Sequence, residues 1–165
     1  MNVVADSSVL IALSTIGQLT LLQKRFPGGV LIPEAVWDEV VETGEGLPGA
    51  IEIETASWIT VSEIRDKRFF SLLCSELDKG EAEAIVLCIE KTADVILLDE
   101  KDARRVAQRL GLAVLGTVGM LIWAKRQRLI SSLREQLDTL RTKGNFRLSH
   151  FVYEKALQSV GEAIL

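Results

Sequence analysis

Apolar residues along this chain alternate between two habits. Short unbroken runs stand at Asn2–Ala5, Val30–Ile32, Trp58–Val61, Val95–Leu98 and Ala113–Leu115. Such runs predict strands buried on both faces, as in a parallel sheet covered by helices. Between them the apolar positions recur at helical spacing. This pattern predicts helices after Asp6-Ser7-Ser8, at Leu19–Arg25, from Pro33 to about Glu42, at Ala50–Ala56 and near Phe69–Leu73. Further helices are predicted at Glu81–Lys91, Glu100–Leu110, Met120–Gln127 and Ile130–Arg141, with a last one inside Phe146–Leu165. Strands separated by helices imply an α/β fold with right-handed crossovers. The turn signals are Gly17, Phe26-Pro27-Gly28-Gly29, the glycine-rich stretch Thr43–Pro48 and Gly144.

Two of the strands run straight into an acid. Asn2-Val3-Val4-Ala5 ends in Asp6, and Val95-Ile96-Leu97-Leu98 ends in Asp99. Parallel α/β sheets gather their chemistry at the carboxyl ends of the strands. Two strands delivering carboxylates to one edge therefore predict an acidic pocket for divalent cations. Helix capping is the plainer reading of Asp6 and Ser7. Ser8 is a candidate to orient a water at such a site, and as a nucleophile it has no adjacent base.

Helical phase tests the other acids. In Glu81–Lys91 the stripe Ala82, Ala84, Ile85, Cys88 and Ile89 includes Glu81, whereas Glu83 and Glu90 fall on the opposite side, toward solvent. A glutamate on a core face needs either a partner and the helix dipole or a metal ion. In the helix after Pro33, Glu34, Asp38, Glu39 and Glu42 all lie off the stripe of Val36, Trp37, Val40 and Val41, so phase selects none of them. Ala103, Val106, Ala107 and Leu110 point inward, and Asp102 stands at the rim of that face. Gly116-Thr117-Val118-Gly119 reads as a tight strand-to-helix turn, with Thr117 on the same edge as Asp6 and Asp99.

Composition narrows the chemistry. The chain has 165 residues, 48% hydrophobic and 25% charged, which suits a single globular domain. No apolar run reaches the roughly 18 residues of a membrane span. No basic leader is visible, so the expected setting is the cytoplasm. Cys74 and Cys88 lie within helical patterns and read as buried free thiols. His150 is the only histidine and reads as a surface residue near a helix start, which leaves no His/Cys zinc set. The net charge of −4 argues against nucleic-acid binding through bulk charge. Local clusters remain available: Arg65-Asp66-Lys67-Arg68, Arg104-Arg105 and Lys125-Arg126-Gln127-Arg128.

Taken in order, Asp6-Ser7-Ser8, Ile32-Pro33-x-x-Val36-x-x-Glu39-Val40, Gly80-Glu81-x-Glu83-Ala84-Ile85, Leu98-Asp99-x-x-Asp102-Ala103-Arg104 and Leu115-Gly116-Thr117-x-Gly119 resemble the PIN domain. The likeness is greatest to the bacterial and archaeal branch that includes VapC-type toxin ribonucleases. It spans residues 1 to about 128. The resemblance implies a PIN-like three-layer α/β fold, with a five-stranded parallel sheet in order 3-2-1-4-5 between helices. The first and fourth strands would then be neighbours, with Asp6 beside Asp99. The family's acids map to Asp6, Glu39, Glu81 and Asp99, with Asp102 as a frequent addition. Asp6, Glu81 and Asp99 would be the metal ligands, and Ser8 and Thr117 would support them.

The implied activity is Mg²⁺- or Mn²⁺-dependent hydrolysis of single-stranded RNA, and the expected nucleic-acid partner is single-stranded or structured RNA. The implied biological role is the toxin of a toxin–antitoxin pair. An antitoxin and a second copy of the chain are the expected protein partners, and no membrane is expected. Arg104, Arg105, Lys67 and Arg68 are the candidate RNA contacts. Residues 129–165 exceed the compact toxin pattern and are expected to be a helical C-terminal extension of a single 1–165 domain, serving as a dimer interface, a docking segment or added core. Two other readings compete. One is a non-catalytic PIN-like binding or regulatory module. The other is a phosphotransfer enzyme of another α/β fold, for which Ser8 stands where a second acid would be needed.

Overall fold

The computed structural model describes residues 1–163. Its order is β1 (Val3–Ala5), α1 (Ser7–Thr15), α2 (Thr20–Arg25), β2 (Val30–Pro33), α3 (Glu34–Trp37), α4 (Ala50–Thr55), β3 (Ile59–Ser62), α5 (Lys67–Leu73) and α6 (Lys79–Glu90). It continues through β4 (Val95–Leu97), α7 (Lys101–Arg109), β5 (Val114–Leu115), α8 (Thr117–Arg126), α9 (Leu133–Lys143) and α10 (His150–Ser159). The five strands are all parallel, in the order β3-β2-β1-β4-β5. The fold is therefore the three-layer α/β arrangement implied by the resemblance.

The alternation of side chains along each strand divides the core in two. Val3, Ala5, Val30, Ile32 and Leu97 face one layer, which contains Val9, Leu10, Leu13, Met120 and Leu121. Val4, Ile96 and Leu98 face the other, built on Ala82, Ile85, Val86, Ala103 and Ala107. A leucine buried as fully as Leu10 or Leu97 contributes about 1.5–3 kcal/mol. The register pairs Val3 with Val95, Val4 with Ile96 and Ala5 with Leu97. Asp6 extends the ladder, giving its N–H to the Leu97 carbonyl at 3.0 Å. Both acid-bearing strands therefore end at one edge, in the middle of the sheet.

The tail folds back onto the first layer. Leu133, Leu137, Leu140, Tyr153, Ala156 and Leu157 are buried in that core. Glu162 ties the end down by accepting the Leu133 and Arg134 N–H groups at 2.6 and 3.1 Å. Among the described residues no helix is long and apolar enough to cross a membrane. The last two residues of the expected extension lie outside those described.

Several expectations need correction. The helix after Pro33 does not stay α-helical: it turns π-helical over Asp38–Glu42. Gly44 makes this turn sterically feasible, because a Cβ there would strike the Val40 and Glu39 carbonyls. Glu83 is buried, not solvent-facing, and its carboxylate accepts the Ala35 N–H at 2.7 Å. It thereby satisfies a donor at the start of α3. Glu81 through Cys88 are all buried, while Ile89 is 42% exposed. The cause is packing: α6 lies against the sheet and also against α3, α5 and α7. Leu110 is likewise exposed. Cys74 is exposed, and Cys88 is buried with its thiol pushed up to about 11 by desolvation, with Asp94 adding. Thr117 begins α8 directly, with Gly116 at the cap, in place of a separate turn. His150 starts α10 at the surface beside Glu154, as its sequence context suggested.

Candidate acidic site at the carboxyl edge of the sheet

Asp6 leaves β1 at the N-cap position of α1, yet its side chain makes no capping bond. Only 3% of the residue is exposed. Oδ2 accepts Ser8 Oγ–H at 3.3 Å, and Oδ1 is buried with no hydrogen-bond partner. Burial pushes this carboxyl up to about 7, opposed by the adjacent Ser7 backbone N–H and reinforced by Glu81, Asp78 and Glu39. Capping therefore does not account for Asp6. An unpartnered buried carboxylate oxygen facing other acids is unfavourable unless something cationic compensates it.

Gly80 is the floor on which these acids meet. A Cβ there would stand 3.5 Å from Asp6 Oδ1, 3.7 Å from Asp78 Oδ1 and 3.7 Å from Glu39 Oε2. Asp78 and Glu81 form a reciprocal capping box at the start of α6. Asp78 Oδ1 accepts the Glu81 N–H at 2.8 Å, and Glu81 Oε1 accepts the Asp78 N–H at 3.1 Å. Burial also pushes Glu81 up to about 7, against the pull of the Asp78 N–H, with Asp78 and Glu100 adding. Part of the reason for a core-facing glutamate is thus structural, and it leaves Oε2 uncommitted to the cap. Asp78 was missed as a site residue, although the Asp-x-x-Glu pattern of a capping box was legible. Glu39 is exposed and reaches the cluster from the π-helical turn.

Asp99 lies at the same edge in a different environment. Its Oδ1 accepts the Thr117 N–H at 2.7 Å, and its Oδ2 accepts the Thr117 hydroxyl at 2.6 Å. Burial raises its pKa, while both Thr117 donors and the Arg104 guanidinium pull it back down. Arg104 is itself fixed by a 2.8 Å bond from Nη1 to the Leu98 carbonyl. Gly116 admits this pair, since a Cβ there would lie 2.7 Å from Arg104 Nη1 and 2.9 Å from Asp99 Oδ1.

The remaining candidates lie away from the cluster. Asp102 is exposed and pairs with Arg105 at 3.7 Å, facing outward on α7. Lys67 and Arg68 open α5, whose preceding residues Arg65 and Asp66 give their N–H groups to Glu90. Glu90 ends α6, nine residues from Glu81 and so roughly 14 Å along the helix. These two cations therefore sit at the opposite end of α6 from the acids.

The donors at the edge are all carboxylate and hydroxyl oxygens, the set that suits a hard divalent cation. The orphaned Asp6 Oδ1 and the convergence of Asp6, Asp78 and Glu39 oxygens on Gly80 fit such an ion. Among the described residues no three His, Cys, Asp or Glu side chains already stand close enough to hold a metal. Asp6, Glu39, Glu81 and Asp99 are the side chains that would hold a cation at this edge.

A family model described as a PIN domain matches residues 2–162. Among solved structures the chain is similar to a PilT N-terminus domain protein from the hyperthermophilic archaeon Sulfolobus solfataricus P2. The likeness is at 14% identity, over 91% of this chain and 99% of that one, with a TM-score of 0.49. No curated protein matches the chain.

Proposed function

The chain belongs to the PIN domain family, generally nucleases, and on that premise we propose that it is a divalent-metal-dependent ribonuclease that hydrolyses single-stranded RNA. The observation that carries this reading is the buried, unpartnered Asp6 Oδ1 facing Glu39, Asp78 and Glu81. Asp6, Glu81 and Asp99 would hold Mg²⁺ or Mn²⁺. Such an ion supplies positive charge where the phosphoryl oxygens gain negative charge, and it makes water more acidic.

The chain's own groups do the rest. Ser8 orients Asp6 through its hydroxyl, and Thr117 orients Asp99 through two donors. Glu39 is exposed at the rim of the cluster and takes the proton of the attacking water. The water oxygen bonds to phosphorus, the P–O bond to the leaving nucleoside breaks, and the leaving oxygen gains a proton from solvent. Labelled single-stranded RNA incubated with Mn²⁺ or with EDTA tests this. Cleavage should need the metal and vanish in Asp6→Asn. Cleavage that persists in EDTA, or in Asp6→Asn, would reject the assignment. The toxin role belongs to the same reading and rests on the sequence resemblance. Its test is growth arrest on expression, relieved by Asp6→Asn.

A further inference from the structure

A large cavity lies beside the acidic cluster, not within it. It measures about 950 Å³ and opens between β5, the start of α8 and the segment leading into α10. This is near the upper end of the roughly 300–1,000 Å³ usual for ligand pockets. Asp99 is one of its lining residues. The charge of its lining is opposite to that of the chain as a whole. Lys101, Arg104 and Arg147 line it against the single carboxylate of Asp99, in a protein of net charge −4. Among the described residues neither Lys101 nor Arg147 forms an ion pair. The remaining wall is apolar, with Phe146 and Leu148 half-buried against Leu115 and Val118. Cations beside a half-buried aromatic and aliphatic wall are what a single-stranded polynucleotide needs, the cations for phosphate and the apolar wall for a base.

We propose that this groove is a substrate subsite that holds a nucleotide flanking the scissile phosphate of single-stranded RNA. The inference rests on the nuclease reading for the meaning of "scissile", but the binding it describes does not. The C-terminal segment 146–152, beyond the stretch that carries the sequence resemblance, then supplies one wall of the substrate path. This would explain how an acidic protein binds a polyanion: a local patch of three cations leads to the metal site. Charge favours this occupant, because an acidic strand complements Lys101, Arg104 and Arg147, whereas an uncharged peptide would leave Lys101 and Arg147 without an ionic partner.

The test measures binding and cleavage separately. Binding of a fluorescent single-stranded RNA is followed by anisotropy in the Asp6→Asn background, and cleavage by kcat and KM in the otherwise unaltered chain with Mn²⁺. Arg147→Glu is expected to raise the dissociation constant about tenfold and to flatten its salt dependence, since one phosphate contact is lost. In the cleavage assay KM should rise by a similar factor while kcat changes little. Lys101→Glu should act in the same direction. Lys91→Glu, exposed at the far end of α6, should change neither and serves as the control for bulk charge. Equal effects from Lys91→Glu and Arg147→Glu would overturn the groove assignment. So would unchanged binding and KM in Arg147→Glu and Lys101→Glu, and that result would leave the groove to a protein partner. If the chain cleaves no RNA but binding still responds to the groove variants, the nuclease reading fails and the subsite stands. If it cleaves and the groove variants are silent, the reverse holds.

Discussion

Asp6 and Asp99 occupy equivalent positions, each just beyond the end of a central parallel strand, but their surroundings are opposite. Asp99 is satisfied: Thr117 gives it two hydrogen bonds and Arg104 gives it a nearby positive charge. Asp6 has a weak bond from Ser8, the adjacent Ser7 N–H, an orphaned oxygen and three acidic neighbours. A fold needing only to cap α1 and α8 would not treat its two aspartates so differently. The difference indicates where the protein gives up stability. Burial raises both carboxyls, but around Asp99 the two Thr117 donors and Arg104 offset much of that cost, whereas around Asp6 the carboxylate works against the fold.

The largest effect should come from breaking the Asp6 side. Its carboxyl sits near 7 in the folded protein against 3.8 ordinarily, so the folded state keeps a proton that the unfolded chain has released. Stability is then undiminished below about pH 4, falls as pH rises toward 7, and stays low above. A rise from 3.8 to about 7 corresponds to about 4 kcal/mol as an upper bound for this residue. Glu81 adds in the same direction but less, because its carboxylate is less deeply buried than that of Asp6. Urea denaturation in EDTA should therefore show the protein less stable at pH 8 than at pH 5. Asp6→Asn should be more stable than the parent at pH 8 and should lose most of the pH slope. Adding Mn²⁺ at pH 8 should raise the melting temperature of the parent but not of Asp6→Asn. A parent whose stability is flat between pH 5 and 8, and whose melting ignores Mn²⁺, would show that the two aspartates are not different after all.

A middle-sized effect should come from making Asp99 resemble Asp6. Thr117→Val removes the 2.6 Å hydroxyl bond to Oδ2 and keeps the backbone N–H to Oδ1. Losing a hydrogen bond to a buried carboxylate costs roughly 1.5–3 kcal/mol. The lost donor was holding the Asp99 carboxyl down, so the penalty should be larger at pH 8 than at pH 5. The metal response then sharpens the comparison. If Asp99 is a ligand, the melting shift on Mn²⁺ should be larger in Thr117→Val than in the parent. An identical shift in both proteins would make Asp99 a helix cap and leave the ion to Asp6, Glu81 and their neighbours.

What the sequence disclosed about this edge follows from which interactions are local. Buried parallel strands are read as apolar runs, so Asp6 and Asp99 were identified from what precedes them. Glu81 was found because one residue broke an apolar stripe, and its companion Asp78 stood three positions earlier as the other half of a capping box. Glu39 could not be found by phase. The π-helical turn from Asp38 to Glu42 changes the angular step per residue, so a 100° wheel no longer describes that face. Glu83 misled for a different reason: phase assumes one wet side, and α6 has almost none, being enclosed by the sheet and three helices. The groove beyond Asp99 depends on a chain reversal 30 residues downstream of β5, Val114–Leu115 to Phe146 onward, which no local pattern encodes.

The smallest expected effect concerns Asp102, the acid that the resemblance adds to the set. It lies three residues past Asp99, but α7 turns it outward, where it is two-thirds exposed and meets Arg105 at 3.7 Å. Exposed pairs of this spacing contribute about 0.2–0.5 kcal/mol. Asp102→Asn should shift stability by no more than about 0.5 kcal/mol, with the pH slope and the Mn²⁺ response of the parent intact. Its kcat on single-stranded RNA should stay within about twofold, a barrier change of about 0.4 kcal/mol. The measurement is sensitive because the competing expectation is large: a metal ligand lost here would lower kcat by orders of magnitude and reduce the melting shift. Such a result would mean that α7 rotates its first turn toward the cluster when the ion binds, and the difference between the Asp6 and Asp99 sides would then describe only the metal-free state.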